Sequence, residues 1–266
     1  MPDTETPTLG GRPLPPLTAR SVVASVLLGT HPPVMSARAL VQSATLFGLA
    51  EGTVRTAVSR MVAKGELSRR DDGRYELAGH LAARQERQSA SRSPELRQWS
   101  GNWEMWVVGA SAREAPERAE LRRSARALRL GELRDGVWLR PDNLDPARLP
   151  AESAVLADQA RRFSTQPNHD DELPGQLWDL TAWNDEAVEL RRQMAAVHRR
   201  LDDDDTQALA PGFLLAAAVL RHLNEDPLLP DELLPRNWQG GRLRFDYAAY
   251  DSSYSALLTR WLLARR

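Results

Sequence analysis

The chain has 266 residues, of which 42% are hydrophobic and 27% charged, and it contains no cysteine. This composition is ordinary for a globular protein, and it excludes disulfide scaffolds, thiol nucleophiles and thiolate metal sites. No apolar run approaches the ~20 residues that cross a bilayer, and no signal peptide is recognisable, so we expect a cytoplasmic protein with no membrane partner. Residues 1–99 carry 13 basic and 9 acidic side chains, whereas residues 100–266 carry 22 and 27. A polyanion would therefore bind the N-terminal third.

The N-terminal third has the pattern of a winged helix. Residues 1–17 are rich in proline, which predicts a disordered tail. Apolar spacing then predicts a helix over 18–30, a second helix capped by Ser36, and a third over about Glu51 to Lys64. The buried face of the third helix is predicted to consist of Val54, Ala57, Val58, Met61 and Val62. Residues 66–77 indicate two short strands joined by a two-residue turn at Asp72-Gly73, which completes a winged helix over 18–92.

The middle of the chain has the pattern of a small α/β domain. Strands are predicted at Trp103–Gly109 and Val137–Arg140, with a weaker one at Ala154–Ala157 and a loop over 168–175. Between the first two strands, Pro116 opens a helix that is predicted to end at Gly131. This helix should bury Leu121, Ala125 and Leu128 and expose Arg118, Arg122, Arg126 and Arg129. The order strand, helix, strand is typical of a ferredoxin-like unit, which we predict over 93–183.

The last part of the chain, 184–266, is predicted to be helical. A heptad stripe begins at Asp185 and consists of Ala187, Leu190, Met194, Val197 and Leu201. Pro211 and Gly212 should precede an apolar helix over Phe213–Leu223, and a packed loop over 226–241 should lead to a final helix. The fold class is thus α+β multidomain, with an N-terminal winged helix-turn-helix, a central ferredoxin-like domain and a C-terminal helical domain.

The third helix and the hairpin carry the side chains that recognition of duplex DNA requires. A helix in the major groove needs short polar groups and guanidinium groups, since arginine can pair with guanine O6 and N7 while other cations meet phosphates. The candidate DNA contacts are Thr53, Arg55, Thr56, Ser59 and Arg60 on the helix and Arg69, Arg70 and Arg74 on the hairpin. Two alternatives remain open: a solvated face without function, and a winged helix that binds protein.

Motifs for catalysis are scarce. No nucleophile elbow, phosphate-binding loop, dinucleotide fingerprint or paired-histidine helix occurs. His169-Asp-Asp-Glu172 and the acidic run Asp202 to Asp205 are interpreted as polar loops rather than metal sites. A metal-dependent nuclease built on the central domain remains an alternative, although its first strand runs into Gly109-Ala-Ser-Ala and not into an acidic ligand. We therefore expect no catalytic residue, no metal and no cofactor.

Three stretches in the same order resemble one family. They are Leu46 to Met61 with Gly65-Glu-Leu67 and Gly73 to Leu77, then Trp99 to Trp106 with Gly136 to Pro141 and Trp178-Asp-Leu180, then His222 with Asp226 to Trp238 and Gly240. The chain resembles the PaaX family, the repressors of phenylacetic acid degradation and their relatives. The resemblance implies a central domain similar to a small CRISPR-associated nuclease but used without cleavage.

The same resemblance implies a function. It implies a homodimeric repressor that binds a double-stranded DNA operator. The repressor is expected to leave the operator when an aryl-CoA thioester, typically phenylacetyl-CoA, binds to it. Another acyl-CoA, a different small effector or none remains open for this chain. Trp106 and His222 are the candidate effector contacts.

Overall fold

The computed structural model describes residues 8–9, 12–13, 18–30, 32–109, 114–168 and 171–265. The chain divides into unit 1, comprising 1–92, 186–224 and 241–266, and unit 2, comprising 93–185 and 225–240. The predicted disordered tail lies mostly outside the described residues, and within it β1 (Thr8–Leu9) and β2 (Arg12–Pro13) pair antiparallel. Within the described ranges, no helix is long and apolar enough to span a membrane.

The N-terminal part of unit 1 has the element order of a winged helix. Its elements are α1 (Ala19–Gly29), β3 (Val34–Met35), α2 (Ala37–Thr45), α3 (Glu51–Ala63), β4 (Leu67–Arg69), β5 (Tyr75–Leu77) and α4 (Gly79–Arg92). The Thr18 side chain caps α1, and Ser36 Oγ accepts the Ala39 amide at 3.2 Å, as its position before the apolar pattern predicts. The three predicted helices are therefore confirmed.

The wing, which we define as residues 66–77, differs from its prediction in two ways. The sheet order β3-β5-β4 adds a third strand, β3, that was not predicted. The Gly73 amide donates to the Arg70 carbonyl at 3.0 Å, and the Arg70 amide donates to the Arg74 carbonyl at 2.8 Å. Of the described loop residues only Gly73 has a positive φ, +76°. The predicted two-residue turn at Asp72-Gly73 is wrong, because the strands are joined by a three-residue loop in which glycine forms a bulge.

Unit 2 contains the predicted ferredoxin-like domain. Its elements are β6 (Trp103–Val108), α5 (Ala115–Ala127), β7 (Gly131–Arg134), β8 (Val137–Pro141), α6 (Pro150–Gln159) and β9 (Ala160–Thr165). The strands form one antiparallel sheet in the order β7-β8-β6-β9. This β-α-β-β-α-β order confirms the predicted fold class. On one side of the sheet, Trp106 and Trp138 pack with residues of α5 and α6.

Three details of unit 2 correct the sequence analysis. The predicted strand Ala154–Ala157 is part of α6, which begins at Pro150, where the missing amide hydrogen is harmless. Arg129, predicted to be exposed, is 8% exposed and has a φ of +66°, so α5 ends in a left-handed residue. Gly131 does not end the helix but begins β7, where a Cβ atom would lie 2.7 Å from the Cβ of Leu177.

Except for the first, the remaining helices lie in or overlap 184–266, whose predicted helical character they confirm. They are α7 (Leu173–Leu177), α8 (Leu180–Asp202), α9 (Leu209–Leu223) and α10 (Gly240–Leu263). Of the heptad stripe, Ala187, Leu190, Met194 and Leu201 are buried and Val197 is half-buried. Pro211 and Gly212 lie inside the first turn of α9 rather than before it, and α7 occupies the end of the predicted 168–175 loop.

Residues 226–241 are predicted to form a packed loop, and in the structure this loop packs against other residues of unit 2. Asn143 Nδ2 donates to the Leu228 carbonyl at 2.9 Å, and the rings of Trp183 and Trp238 stack at 4.3 Å. Residues 225–240 therefore belong to unit 2, although they lie within the predicted C-terminal domain.

Candidate nucleic-acid interface

Helix α3 has one buried face and one polar exposed face. Val54, Val58 and Met61 are buried, and α3 packs on α1 and α2. Val62 was expected on this face but is 37% exposed. The opposite face exposes the predicted contacts Thr53, Arg55, Thr56, Ser59 and Arg60. Short hydroxyl side chains and two guanidinium groups therefore lie together on the surface that a DNA groove could meet.

The two arginines of this face differ in their partners. Arg55 Nε donates to Glu51 Oε1 at 2.7 Å, and its Nη2 lies 2.7 Å from the same oxygen. Arg60, by contrast, forms no ion pair with any residue that the structure describes. Thr56 Oγ1 donates to the Gly52 carbonyl at 2.9 Å, which fixes its rotamer on the helix. Arg60 is thus the guanidinium of α3 that needs no rearrangement to meet an anion.

The wing arginines are mostly paired within the wing. Arg70 Nη1 donates to Glu76 Oε2 at 2.8 Å, and Arg74 Nε donates to Asp72 Oδ2 at 2.7 Å. These bonds lower the pKa of both carboxyl groups, through Arg70 at Glu76 and through Arg74 at Asp72. The wing contains four acidic and three basic residues, so its cations are offset locally. Arg69 is exposed and forms no ion pair within the described ranges.

The wing is joined to the helices by a bidentate ion pair. Arg20 of α1 donates through Nε and Nη2 to the two carboxylate oxygens of Glu66, each at 2.8 Å. The Arg20 guanidinium lowers the pKa of Glu66, which is itself buried. Planar two-bond pairing of this kind fixes orientation as well as distance. Glu66 therefore sets the position of β4 relative to α1.

A groove beside α3 brings together the cationic side chains Arg20, Arg60 and Lys64, of which only Arg60 is predicted from the sequence as a DNA contact. Arg20, Thr53, Thr56, Arg60, Lys64 and Glu66 all line this groove, whose volume is about 740 Å³. Lys64 lies one helical turn after Arg60 and is exposed. The four-residue spacing was available in the sequence, so Lys64 is a candidate contact that periodicity alone could have identified.

The two candidate effector contacts are buried in different units. Trp106 is 8% exposed in the core beside α5 and α6, and its Nε1 lies 3.4 Å from Glu104 Oε1. His222 is 2% exposed on α9 in unit 1, with its Nδ1 3.8 Å from Glu186 Oε2. Each side chain is part of the packing of its own unit, and an effector role for either remains a prediction.

Two acidic segments, His169–Glu172 and Asp202–Asp205, are predicted to be polar loops and not metal sites. Among the described residues, no group of three or more histidine, aspartate or glutamate side chains could hold a metal ion. Residues 169–170 and 110–113 lie outside the description, and with them part of the His169–Glu172 loop and the end of the Gly109-Ala-Ser-Ala segment. In the acidic run, Asp204 pairs with Arg260 and Asp205 with Arg200.

The fold and this surface define a winged-helix protein with a ferredoxin-like domain and a helical C-terminal region. Comparison with known proteins gives its family. Residues 18–81 match the description "PaaX-like protein", residues 96–174 "PaaX protein central Cas2-like domain" and residues 178–262 "PaaX-like protein C-terminal domain". The chain belongs to the PaaX-like family, whose members are generally transcriptional repressors.

One solved structure is similar to nearly the whole chain. The chain is similar to "Uncharacterized protein Rv0674 from Mycobacterium tuberculosis", with 43% sequence identity and a TM-score of 0.72. The similarity covers 92% of this chain and 99% of that one. The comparison with curated proteins gave no match.

Proposed function

We propose that this protein is a transcriptional repressor that binds duplex DNA through α3 and the wing. The observation that carries the proposal is Arg60, which is exposed beside Lys64 and has no carboxylate partner among the described residues. An unpaired guanidinium on a helix face with Thr53, Thr56 and Ser59 fits a guanine edge or a phosphate. Lys64 and Arg69 add positive charge that suits the DNA backbone.

The paired arginines have a secondary role in this proposal. The side chains of Arg55, Arg70 and Arg74 are 58%, 45% and 49% exposed in their ion pairs. Exposed pairs contribute only ~0–1 kcal/mol, so a phosphate can replace the carboxylate partner. We expect these three residues to contribute less to DNA affinity than Arg60.

The finer features of the proposal rest on the PaaX-like family. The protein acts as a cytoplasmic homodimer, which places two copies of α3 in major grooves about one helical turn, or a multiple of it, apart. A small effector, for which the family resemblance indicates a CoA thioester, releases the operator by binding the DNA-free arrangement more tightly. No step requires a metal or a cofactor, because the proposed protein is a regulator and not an enzyme.

The proposal is tested by selecting duplexes that bind the full-length protein from a random library and measuring affinity by fluorescence anisotropy. Arg60→Ala should weaken binding to the selected duplex by about 1–3 kcal/mol if it contacts a base. Arg123→Ala, which removes an exposed cation from α5, should have no effect. Failure to enrich any sequence, or equal affinity of the Arg60→Ala variant, would contradict the proposal. Cleavage of the duplex in Mg²⁺ would instead favour the nuclease alternative.

A further inference from the structure

Arg20 of α1 lines the groove beside α3, together with its ion-pair partner Glu66 of the wing. Arg20 is not among the DNA contacts predicted from the sequence. Arg60 and Lys64 of α3 line the same groove, so its described lining contains three cationic side chains and one carboxylate. The field in the groove therefore favours an anion. Because Arg20 belongs to α1, this positive surface continues beyond α3.

The two members of the Arg20–Glu66 pair differ in their exposure. The side chain of Arg20 is 48% exposed, whereas that of Glu66 is 9% exposed. In the ion pairs of Arg55, Arg70 and Arg74, by contrast, the carboxylate side chains are 36% to 59% exposed. An anion that approaches one of those pairs meets the carboxylate together with the guanidinium. An anion that approaches Arg20 meets mainly the guanidinium, because the carboxylate of Glu66 is buried.

Arg20 has hydrogen-bond donors left for a second partner. A guanidinium carries five N–H groups in one plane. Nε and Nη2 of Arg20 each donate one of them to Glu66 at 2.8 Å, and Arg20 forms no other hydrogen bond within the described ranges. The second N–H of Nη2 and the adjacent N–H of Nη1 lie on another edge of the guanidinium, which is not bonded to Glu66. Two parallel N–H groups of this kind match two oxygens of one phosphate.

Glu66 holds this guanidinium in a defined orientation. Two hydrogen bonds to one buried carboxylate fix the plane of the group as well as its position. The bond from Arg20 is also the main cause of the lowered pKa of Glu66, so Glu66 stays ionised and keeps holding Arg20 at neutral pH. An arginine that is already ordered loses less side-chain entropy when it binds a ligand than a mobile one does.

We propose that Arg20 binds a backbone phosphate of the DNA duplex and that Glu66 is the positioning residue for this contact. The inference rests on the proposed function, because it adds a contact to the same interface. A helix that lies in the major groove has a sugar–phosphate strand on either side. Arg20 lies beside α3 and not on its exposed face, so it meets such a strand and not the edge of a base. Arg20 thereby contributes affinity without selecting a sequence.

The test replaces single phosphates of the selected duplex by uncharged methylphosphonates and measures the affinity of the full-length protein by fluorescence anisotropy. For the unaltered protein, each contacted phosphate should show a loss, of about tenfold where a charge-assisted hydrogen bond is removed. In Arg20→Gln, one of these positions should become insensitive while the others keep their effect. A purely structural role of Arg20 would lower the affinity at all positions alike. If Arg20 instead bound a free phosphate, no position would depend on it.

A double variant separates this contact from changes in stability and charge. Arg20→Gln leaves Glu66 buried without its partner and should lower the melting temperature. In Arg20→Gln combined with Glu66→Gln, two amides can pair, and the net charge equals that of the unaltered protein. This double variant should keep the insensitive position, and its salt slope should be shallower by about one, which is the contribution of one phosphate. Arg123→Gln, which removes an exposed cation from α5, should leave every position sensitive.

Glu66→Gln alone tests the positioning role. Arg20 keeps its charge in this variant, so the salt slope should stay that of the unaltered protein. The loss at the position that depends on Arg20 should become smaller, because two charge-assisted bonds no longer hold the guanidinium. An unchanged loss at that position would contradict the role of Glu66.

Two results would overturn the Arg20 contact while leaving duplex binding by α3 intact: sensitivity at every position in the double variant, or a salt slope of that variant equal to the unaltered protein's. A protein that enriches no duplex would contradict the proposed function and this inference together. The two failures are distinguishable, since only the first is observed with a selected duplex in hand.

Discussion

Replacement of Glu51 by Gln should strengthen DNA binding, although it removes an ion pair. Glu51 and Arg55 form an exposed pair at 2.7 Å, with side chains 59% and 58% exposed. Such an i, i+4 pair stabilises a helix by only ~0.3–0.5 kcal/mol. When DNA approaches, Arg55 must leave Glu51, and the carboxylate is repelled by phosphates at ~0.5 kcal/mol each for a separation of about 8 Å in water. Removing the Glu51 carboxylate avoids both the breaking of the ion pair and the repulsion by a phosphate. Together these are about 1 kcal/mol, which is a roughly fivefold increase in DNA affinity.

Fluorescence anisotropy with the selected duplex measures this gain, and thermal unfolding measures stability in parallel. Because a carboxylate in the first turn favours the helix dipole by ~0.3–1 kcal/mol, Glu51→Gln should also lower the melting temperature slightly. Affinity and stability therefore move in opposite directions. Glu86→Gln, an exposed site on α4 with the same change of charge, should leave the affinity nearly unchanged. Unchanged or weaker binding by Glu51→Gln would refute the placement of α3 against DNA.

Two further predictions concern the free energy of unfolding. Gly131→Ala should lower it by about 1–3 kcal/mol, because the new Cβ would lie 2.7 Å from that of Leu177. Gly175→Ala, inside α7 with nothing within 4 Å, should leave it unchanged or raise it by up to about 1 kcal/mol; equal losses in the two variants would contradict the close packing of β7. Glu66→Gln, which breaks the ion pair with Arg20, should lower the free energy of unfolding by about 1–3 kcal/mol at neutral pH. Arg20 lowers the pKa of Glu66 in the folded protein below its ordinary 4.5. The ion pair therefore stabilises the fold fully above pH 4.5, and this stabilisation disappears as the pH falls through the lowered pKa. A loss that persists under acid conditions would exclude the ion pair as its cause.

The helices of the winged helix could be predicted because their signals are local. Apolar spacing and the caps Thr18 and Ser36 depend on residues within a few positions of one another. The strand β3, which has two residues, is defined by its pairing with β5 from a segment about forty positions away. The loop of the wing likewise depends on hydrogen bonds between Arg70 and Arg74, and the dipeptide Asp-Gly is compatible with both turn types.

The end of the central sheet shows a second limit. β9 is an edge strand with most side chains exposed, so it has no alternation of apolar and polar residues. α6 has a single fully buried side chain, Leu156, and its helical stripe is correspondingly weak. The apolar residues of α6 therefore favour a strand by pattern, although Pro150 indicates the start of a helix.

The candidate site was only partly accessible from sequence. The exposed face of α3 follows from helical periodicity, and the Glu51–Arg55 spacing predicts their pair. The shape of the loop decides which arginines of the wing form ion pairs with its carboxylates, so these pairs could not be predicted from the sequence. Unit 1 also contains a pocket lined by side chains of α1, α4, α9 and α10, which could not be predicted, because the polar pattern of α4 does not show where α9 and α10 pack beside it.

The most direct test of DNA binding by α3 and the wing is the salt dependence of affinity for the selected duplex. The logarithm of the association constant should fall linearly with the logarithm of salt concentration, with a slope of about −0.9 for each phosphate contacted. Lys64→Ala should make the slope shallower by about one and weaken binding to all sequences alike. An affinity that is independent of salt, or a slope unchanged by Lys64→Ala and Arg69→Ala together, would contradict the account.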